Sequence, residues 1–166
     1  MRNLKKVCLI TGPNINTWPE NFELKLLGDF CINDSNKVHI KKRSYSIIEA
    51  YGDNFDSRSK DKLYTEELFE KLLVAFSDSL NKIHKVNHPI RYWRILIGPW
   101  LNAIIPVLYN RWNKINLALN FSTDEIISAR YPLKSIIPYD MADFIYMHLR
   151  PEWNSDIFSR ILQFKN

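Results

Sequence analysis

The strongest constraint on the fold is the stretch from Ile90 to Leu117. It is helical in pattern and nearly continuous in apolar residues, yet it contains Pro99 and Pro106. A membrane-spanning helix needs about 20 consecutive apolar residues. The longest uncharged run here, Ile95 to Asn110, holds both prolines and two asparagines. A transmembrane helix is therefore rejected, and a helix apolar nearly all round is expected to lie buried in a protein core. The two prolines should act as kinks or boundaries.

The chain supplies a partner for it. Tyr64, Leu68, Leu72, Phe76, Leu80 and Ile83 recur every three or four residues, with Leu73 and Ala75 widening the stripe. Glu66, Glu67, Glu70, Lys71, Asp78 and Lys82 take the other face. That is a long amphipathic helix, with early acids and late lysines that suit its dipole. Asp56 can cap it, and Asn87-His88-Pro89 breaks it.

The N-terminal part has a different rhythm. Val7-Cys8-Leu9-Ile10 is a short apolar run that stops at the turn Thr11-Gly12-Pro13-Asn14. It is too short for a signal segment and reads as a buried strand. Thr17 is placed to cap a helical turn containing Pro19, with Glu20 three residues on. Leu24 to Leu27 is a second strand closed by Gly28-Asp29, and Val38-His39-Ile40 a third. After Asn120, Ser122 to Glu125 can begin a helix by capping, and Ala142 to Met147 is apolar. Ser155-Asp156 can cap a last helix carrying Ile157, Phe158, Ile161, Leu162 and Phe164, whose apolar face no later segment covers. The sum is one α/β domain over residues 1–166, with a small, mostly parallel sheet and long packed helices.

Composition excludes several classes. With 166 residues, 46% apolar and 25% charged, the chain can bury a real core. A net charge of +5, spread over scattered basic residues, gives only weak attraction to anions. No zinc spacing or RNA-binding aromatic signature points to nucleic acid. Cys8 and Cys31 sit in strand-like apolar surroundings, as buried free thiols suited to a reducing cytoplasm.

Candidate site residues fall into two groups. Thr11, Gly12 and Asn14 follow the first strand and Gly28 and Asp29 the second, where open α/β sheets bind ligands. There is no Gly-x-Gly-x-x-Gly fingerprint. Asp29 is the candidate catalytic base or hydroxyl-binding group, with a plain strand-end turn as the alternative. Arg91 and Arg94 share a helical face. They can grip a phosphate or carboxylate by bidentate bonds, pair with internal acids such as Asp56, Asp29 or Glu70, or lie at a domain surface. Trp93 and Trp100 can stack on a sugar or pack in the core. His84 and His88 have ligand-like spacing, but the break at Pro89 argues against shared coordination, and no metal site is expected.

Several stretches taken together resemble a known family: "LITG…TWP" at 9–19, "LLGDFC" at 26–31, "DSR" at 56–58, "NKIHKVNHPIRYWRILIGPWLNAIIPVLYNRW" at 81–112 and "EWNSDIFSRIL" at 152–162. That family comprises transferases linked to lipopolysaccharide O-antigen and other bacterial surface-carbohydrate loci. Where its members have Gly-Glu-Trp-Cys, this chain has Gly28-Asp29-Phe30-Cys31. Family members are several times longer and look like two-domain glycosyltransferase-type proteins. The resemblance implies that this chain is an N-terminal, acceptor-side part, inactive by itself. The carbohydrate acceptor would bind here, with no cofactor in this chain, and a nucleotide-sugar donor would bind a C-terminal domain. The alternative is a non-catalytic interaction module whose Trp/Arg helix holds a protein partner or the cytoplasmic membrane surface. Either reading places the protein in the cytoplasm, the second at the inner face of the membrane.

Overall fold

The structure, a computed structural model, describes residues 6–48, 55–120, 125–128 and 137–165. Two compact units divide the chain: Met1–Tyr51 together with Arg111–Asn166, and Gly52–Asn110.

The first unit is built on a four-stranded parallel sheet. Its strands are β1 (Lys6–Ile10), β2 (Glu23–Leu26), β3 (Tyr45–Ile47) and β4 (Glu125–Ser128), in the order β3-β2-β1-β4. Central β1 has both faces covered, as parallel sheets require, which is why its sequence runs apolar without alternation. Cys8 and Ile10 point to one face with Leu24, Leu26, Trp18, Cys31 and Ile40. Leu9 points to the other, with Leu27, Ile48, Ile115, Ala118, Phe158 and Leu162.

Between the strands, local polar chemistry shapes the turns. The first 3-10 turn, Ile15–Thr17, is capped by Asn14, whose side chain accepts from the Asn16 N–H at 3.1 Å. Thr17 is therefore not its cap; its hydroxyl donates back to the Asn14 carbonyl at 2.7 Å. The expected strand at Val38–Ile40 is a single helical turn, α1 (Lys37–Ile40). Asn33 Oδ1 accepts from the backbone N–H groups of Ser35 and Asn36, and that closed turn winds the following residues instead of extending them. The third strand is the edge strand β3, in which all three residues are exposed. Arg43, one of the scattered basic residues, clamps the carbonyls of Pro19, Glu20 and Phe22.

Glu125 does not open a helix: 125–128 pairs in parallel with β1, in register Lys6↔Glu125 to Leu9↔Ser128. The earlier residues of that expected helix lie outside the described residues. Helix α4 (Met141–Met147) is capped by Asp140, which accepts from the Asp143 N–H at 2.8 Å. Helix α5 (Pro151–Lys165) starts four residues before the expected Ser155 cap, with Pro151 in its first position, where a missing N–H costs nothing. Ser155 is buried inside it. The apolar face of α5 is covered, not open. Phe158 and Leu162 pack under the sheet with Leu9 and Leu27. Phe164 is the residue of that stripe left on the surface, with its ring centre 5.9 Å from that of Trp112.

The second unit holds α2 (Phe55–His84) and the first part of α3 (Ile90–Asn120). Leu73, Trp93, Leu101 and Ile105 form its core, flanked by Leu68, Phe69, Leu72, Leu80, Ile97 and Ile104. The buried line on α2 centres on Leu73 and Ser77, so Tyr64 and Ile83 stand outside the core. Both prolines lie inside an uninterrupted α3. The expectation of burial all round does not hold. Ile95 and Leu96 are 70% and 60% exposed, and Trp100 is on the surface. Within this unit one partner helix covers one stripe of α3 and no more. Among the described residues no helix is long and apolar enough to cross a membrane.

Candidate functional site

In the sheet order β3-β2-β1-β4 the chain leaves β1 toward β2 and later returns to the opposite side of β1. That reversal is a topological switch point, and the crevice beyond the carboxyl ends of such strands is where open α/β sheets take ligands. A cavity of about 340 Å³ lies beyond the carboxyl ends of β1 and β2, lined by residues that include Thr11, directly after β1, and Phe30, shortly after β2. Arg111 and Lys114 on α3, His148 and Leu149, and Pro151, Asn154 and Phe158 on α5 also line it.

The turn beyond β1 is held firmly. The Leu27 N–H and the Cys31 thiol both donate to the Ile10 carbonyl, at 3.1 and 3.2 Å. The Trp18 indole N–H donates to the Gly12 carbonyl at 3.4 Å. Buried Asn36 donates to the carbonyls of Pro13 and Cys31, at 2.9 Å each. Burial pushes the Cys31 thiol up to about 12, so it is a protonated structural donor and no nucleophile.

Thr11 is 1% exposed, and its hydroxyl has no hydrogen-bond partner among the described residues. A buried hydroxyl left unmatched costs about 1–3 kcal/mol. Asn113 Nδ2 is also buried and unmatched, but Asn113 is not among the residues lining the cavity.

The cations are placed by their surroundings. Arg111 Nε donates to Asn154 Oδ1 at 2.9 Å, and Asn154 Nδ2 in turn donates to the carbonyls of His148 and Arg150. Asn154 thus links the guanidinium to the start of α5. Lys114 Nζ donates to the Leu27 carbonyl at 3.3 Å and lies 4.9 Å from the centre of the Phe30 ring. Burial lowers the pKa of both; for Lys114 the neighbouring Arg111 charge adds to the effect, and Cys31 and Asp29 oppose it. Gly28 leaves the space this needs: a Cβ there would sit 2.7 Å from the Phe30 ring and 3.4 Å from Lys114 Nζ.

Of the residues expected from sequence, Thr11 lines the cavity. Gly28 borders it through Phe30 and Lys114. Gly12 is buried behind the turn, Asn14 is occupied as a cap, and Asp29 is exposed one residue before Phe30. Arg91 and Arg94 belong to the other unit. Arg94 is bound by Glu70 through two bonds, 2.7 and 2.5 Å, on an exposed surface and not in a core. Trp93 is core, with its indole N–H on Asn81.

Arg111 and Lys114 were missed. The signal was present: two cations three apart, followed by Ile115 and Ala118 on an apolar helix. It is the same spacing that singled out Arg91 and Arg94.

A larger cleft of about 620 Å³ opens along α2 and α3, lined by residues that include Glu66, Glu67, Glu70 and Lys62. Those side chains are on the surface, and among the described residues none of them leaves a buried polar atom unmatched. The smaller cavity therefore has the stronger chemical character.

No curated protein and no solved structure matches the chain. A family model described as LIC12162 family transferase matches residues 7–166.

Proposed function

The chain belongs to the LIC12162 family of transferases, and on that premise we propose that it serves glycosyl transfer in the building of a bacterial surface polysaccharide such as O-antigen. In this reading the strand-end cavity beside Thr11 takes the carbohydrate acceptor. The donor is a nucleotide sugar held outside this cavity. The acceptor hydroxyl oxygen forms a bond to the sugar's anomeric carbon as the bond from that carbon to the diphosphate breaks. The electron pair leaves with the nucleoside diphosphate. The hydroxyl proton passes to a carboxylate, for which Asp29, exposed beyond β2, is the candidate.

The observation that carries the reading is the cavity itself. It lies beyond the carboxyl ends of two strands of a parallel sheet, and two part-buried cations and an unmatched buried hydroxyl line it. Positioning of two substrates supplies much of the rate in group transfer. A rigid polar wall of this kind is what one substrate requires.

The test is genetic and biochemical. Deleting the gene in its host should change the surface-polysaccharide banding pattern. The intact gene should restore it, and genes carrying Thr11→Val or Asp29→Asn should not. An unchanged pattern in the deletion strain rejects the reading.

A further inference from the structure

We propose that the Thr11, Arg111 and Lys114 wall of the strand-end cavity is an oxyanion site that binds a phosphate or carboxylate group of a small carbohydrate. This deepens the reading of the cavity as a substrate site and rests on that reading for the carbohydrate part of the ligand.

Three observations point to an anion. The first is the pair of cations on adjacent turns of α3, lining one cavity and partly withdrawn from water. Like charges brought together under burial raise each other's cost, and a bound anion lowers it. The second is the Thr11 hydroxyl, 1% exposed and unmatched among the described residues, which lines the same cavity and has a proton to donate. Buried polar groups are normally satisfied, so an unmatched one in a cavity wall asks for a ligand atom. The third is preorganisation. Asn154 fixes Arg111 by its Nε, and Asn154 is itself tied to the His148 and Arg150 carbonyls. Of the three donors on Lys114 Nζ, the Leu27 carbonyl takes one, and the Phe30 ring stands beside the ammonium. Charge-assisted bonds from such groups are the usual means of holding phosphate and carboxylate. At about 340 Å³ the cavity is in the size range of small-molecule sites.

The 166-residue chain is titrated calorimetrically at low salt with orthophosphate, glucose 1-phosphate, glucuronate and UDP-glucose. Saturable binding of at least one is expected. Lys114→Gln and Thr11→Val should each weaken it tenfold or more without lowering the melting temperature, and Arg94→Gln should leave it unchanged. Preference for glucose 1-phosphate or glucuronate identifies an acidic sugar as the source of the anion. Binding of UDP-glucose alone identifies the donor's diphosphate; it would retain the oxyanion site and overturn the acceptor assignment. The proposal fails if none of the four binds the folded chain. It also fails if both variants bind as the parent does. Should Lys114→Gln not fold, Thr11→Val, which keeps both charges, decides the matter with Lys114→Arg as the charge-retaining control. Transfer is not read in this experiment, so absence of glycosyl transfer leaves its result intact.

Discussion

Trp93 and Asn81 are joined by a 3.0 Å hydrogen bond from the indole Nε1 to the amide Oδ1. The same Asn81 side chain accepts from the His88 N–H at 3.0 Å and donates to the His88 carbonyl at 2.9 Å. One amide thus satisfies both backbone groups of the residue that precedes Pro89 and orients the largest core side chain of the helical hairpin. Asn81→Leu removes all three bonds and leaves the Trp93 N–H unmatched. A loss of about 2–3 kcal/mol in denaturant unfolding is expected, and a smaller loss for Asn81→Asp, which keeps the acceptor.

The end of α2 stores a correctable strain. Lys85 has φ 55, and the Val86 N–H returns to the Asn81 carbonyl at 3.0 Å, the pattern of a helix closed by a left-handed residue. That conformation suits glycine, not lysine. Lys85→Gly should stabilise the chain by about 0.5–1 kcal/mol, seen as a higher denaturant midpoint with the same slope.

Two arginines should respond differently. Arg94 is exposed and faces Glu70 across the hairpin surface, so Arg94→Ala should leave the melting temperature nearly unchanged. Arg111 is part-buried and carries a charge-assisted bond to Asn154. Arg111→Ala should cost about 1.5–3 kcal/mol. Equal shifts in the two melts would contradict this division.

Phe158 is 1% exposed and packs against the underside of the sheet. Phe158→Ala should destabilise by about 3–5 kcal/mol. A loss below about 1 kcal/mol would mean that α5 does not close this core.

Cys31 makes stability depend on alkaline pH. Its thiol ionises near pH 9.0 when unfolded and only at about 12 in the fold, because burial disfavours the thiolate. The folded state therefore holds the proton longer, and stability is fully present below pH 9 and falls as pH rises toward 12. Cys31→Ala should flatten that part of the pH–stability curve. In the parent, alkylation of Cys31 at pH 8 should be seen only in denaturant.

Much of the fold was legible because its cause is local. The apolar run at β1 and the turn after it needed nothing beyond neighbours in sequence. The 3.6-residue period of α2 and the broken apolar run of α3 likewise fixed a helical pair. Some elements were misread because local side-chain bonds overrode the apolar pattern, as at Asn33 before 37–40, and one because a distant strand decides it. Whether 125–128 extends or coils is settled by the open edge of β1, and α5 begins at Pro151, before the polar Ser155 that looked like its cap.

The sequence by itself determined the class: parallel strands followed by long helices, a turn at Thr11 beyond the first strand, and family features spread along the chain. Only the tertiary structure decided which charges line the strand-end cavity. Arg94 and Arg111 are alike as residues, and each has a second cation three residues away. One meets Glu70 in water, and the other is held by Asn154 in a cavity that also meets Thr11. That difference lies in burial and in partners 24 and 43 residues away, which no local pattern encodes. The energy of a charge is set by what surrounds it, and its surroundings exist only once the chain has folded.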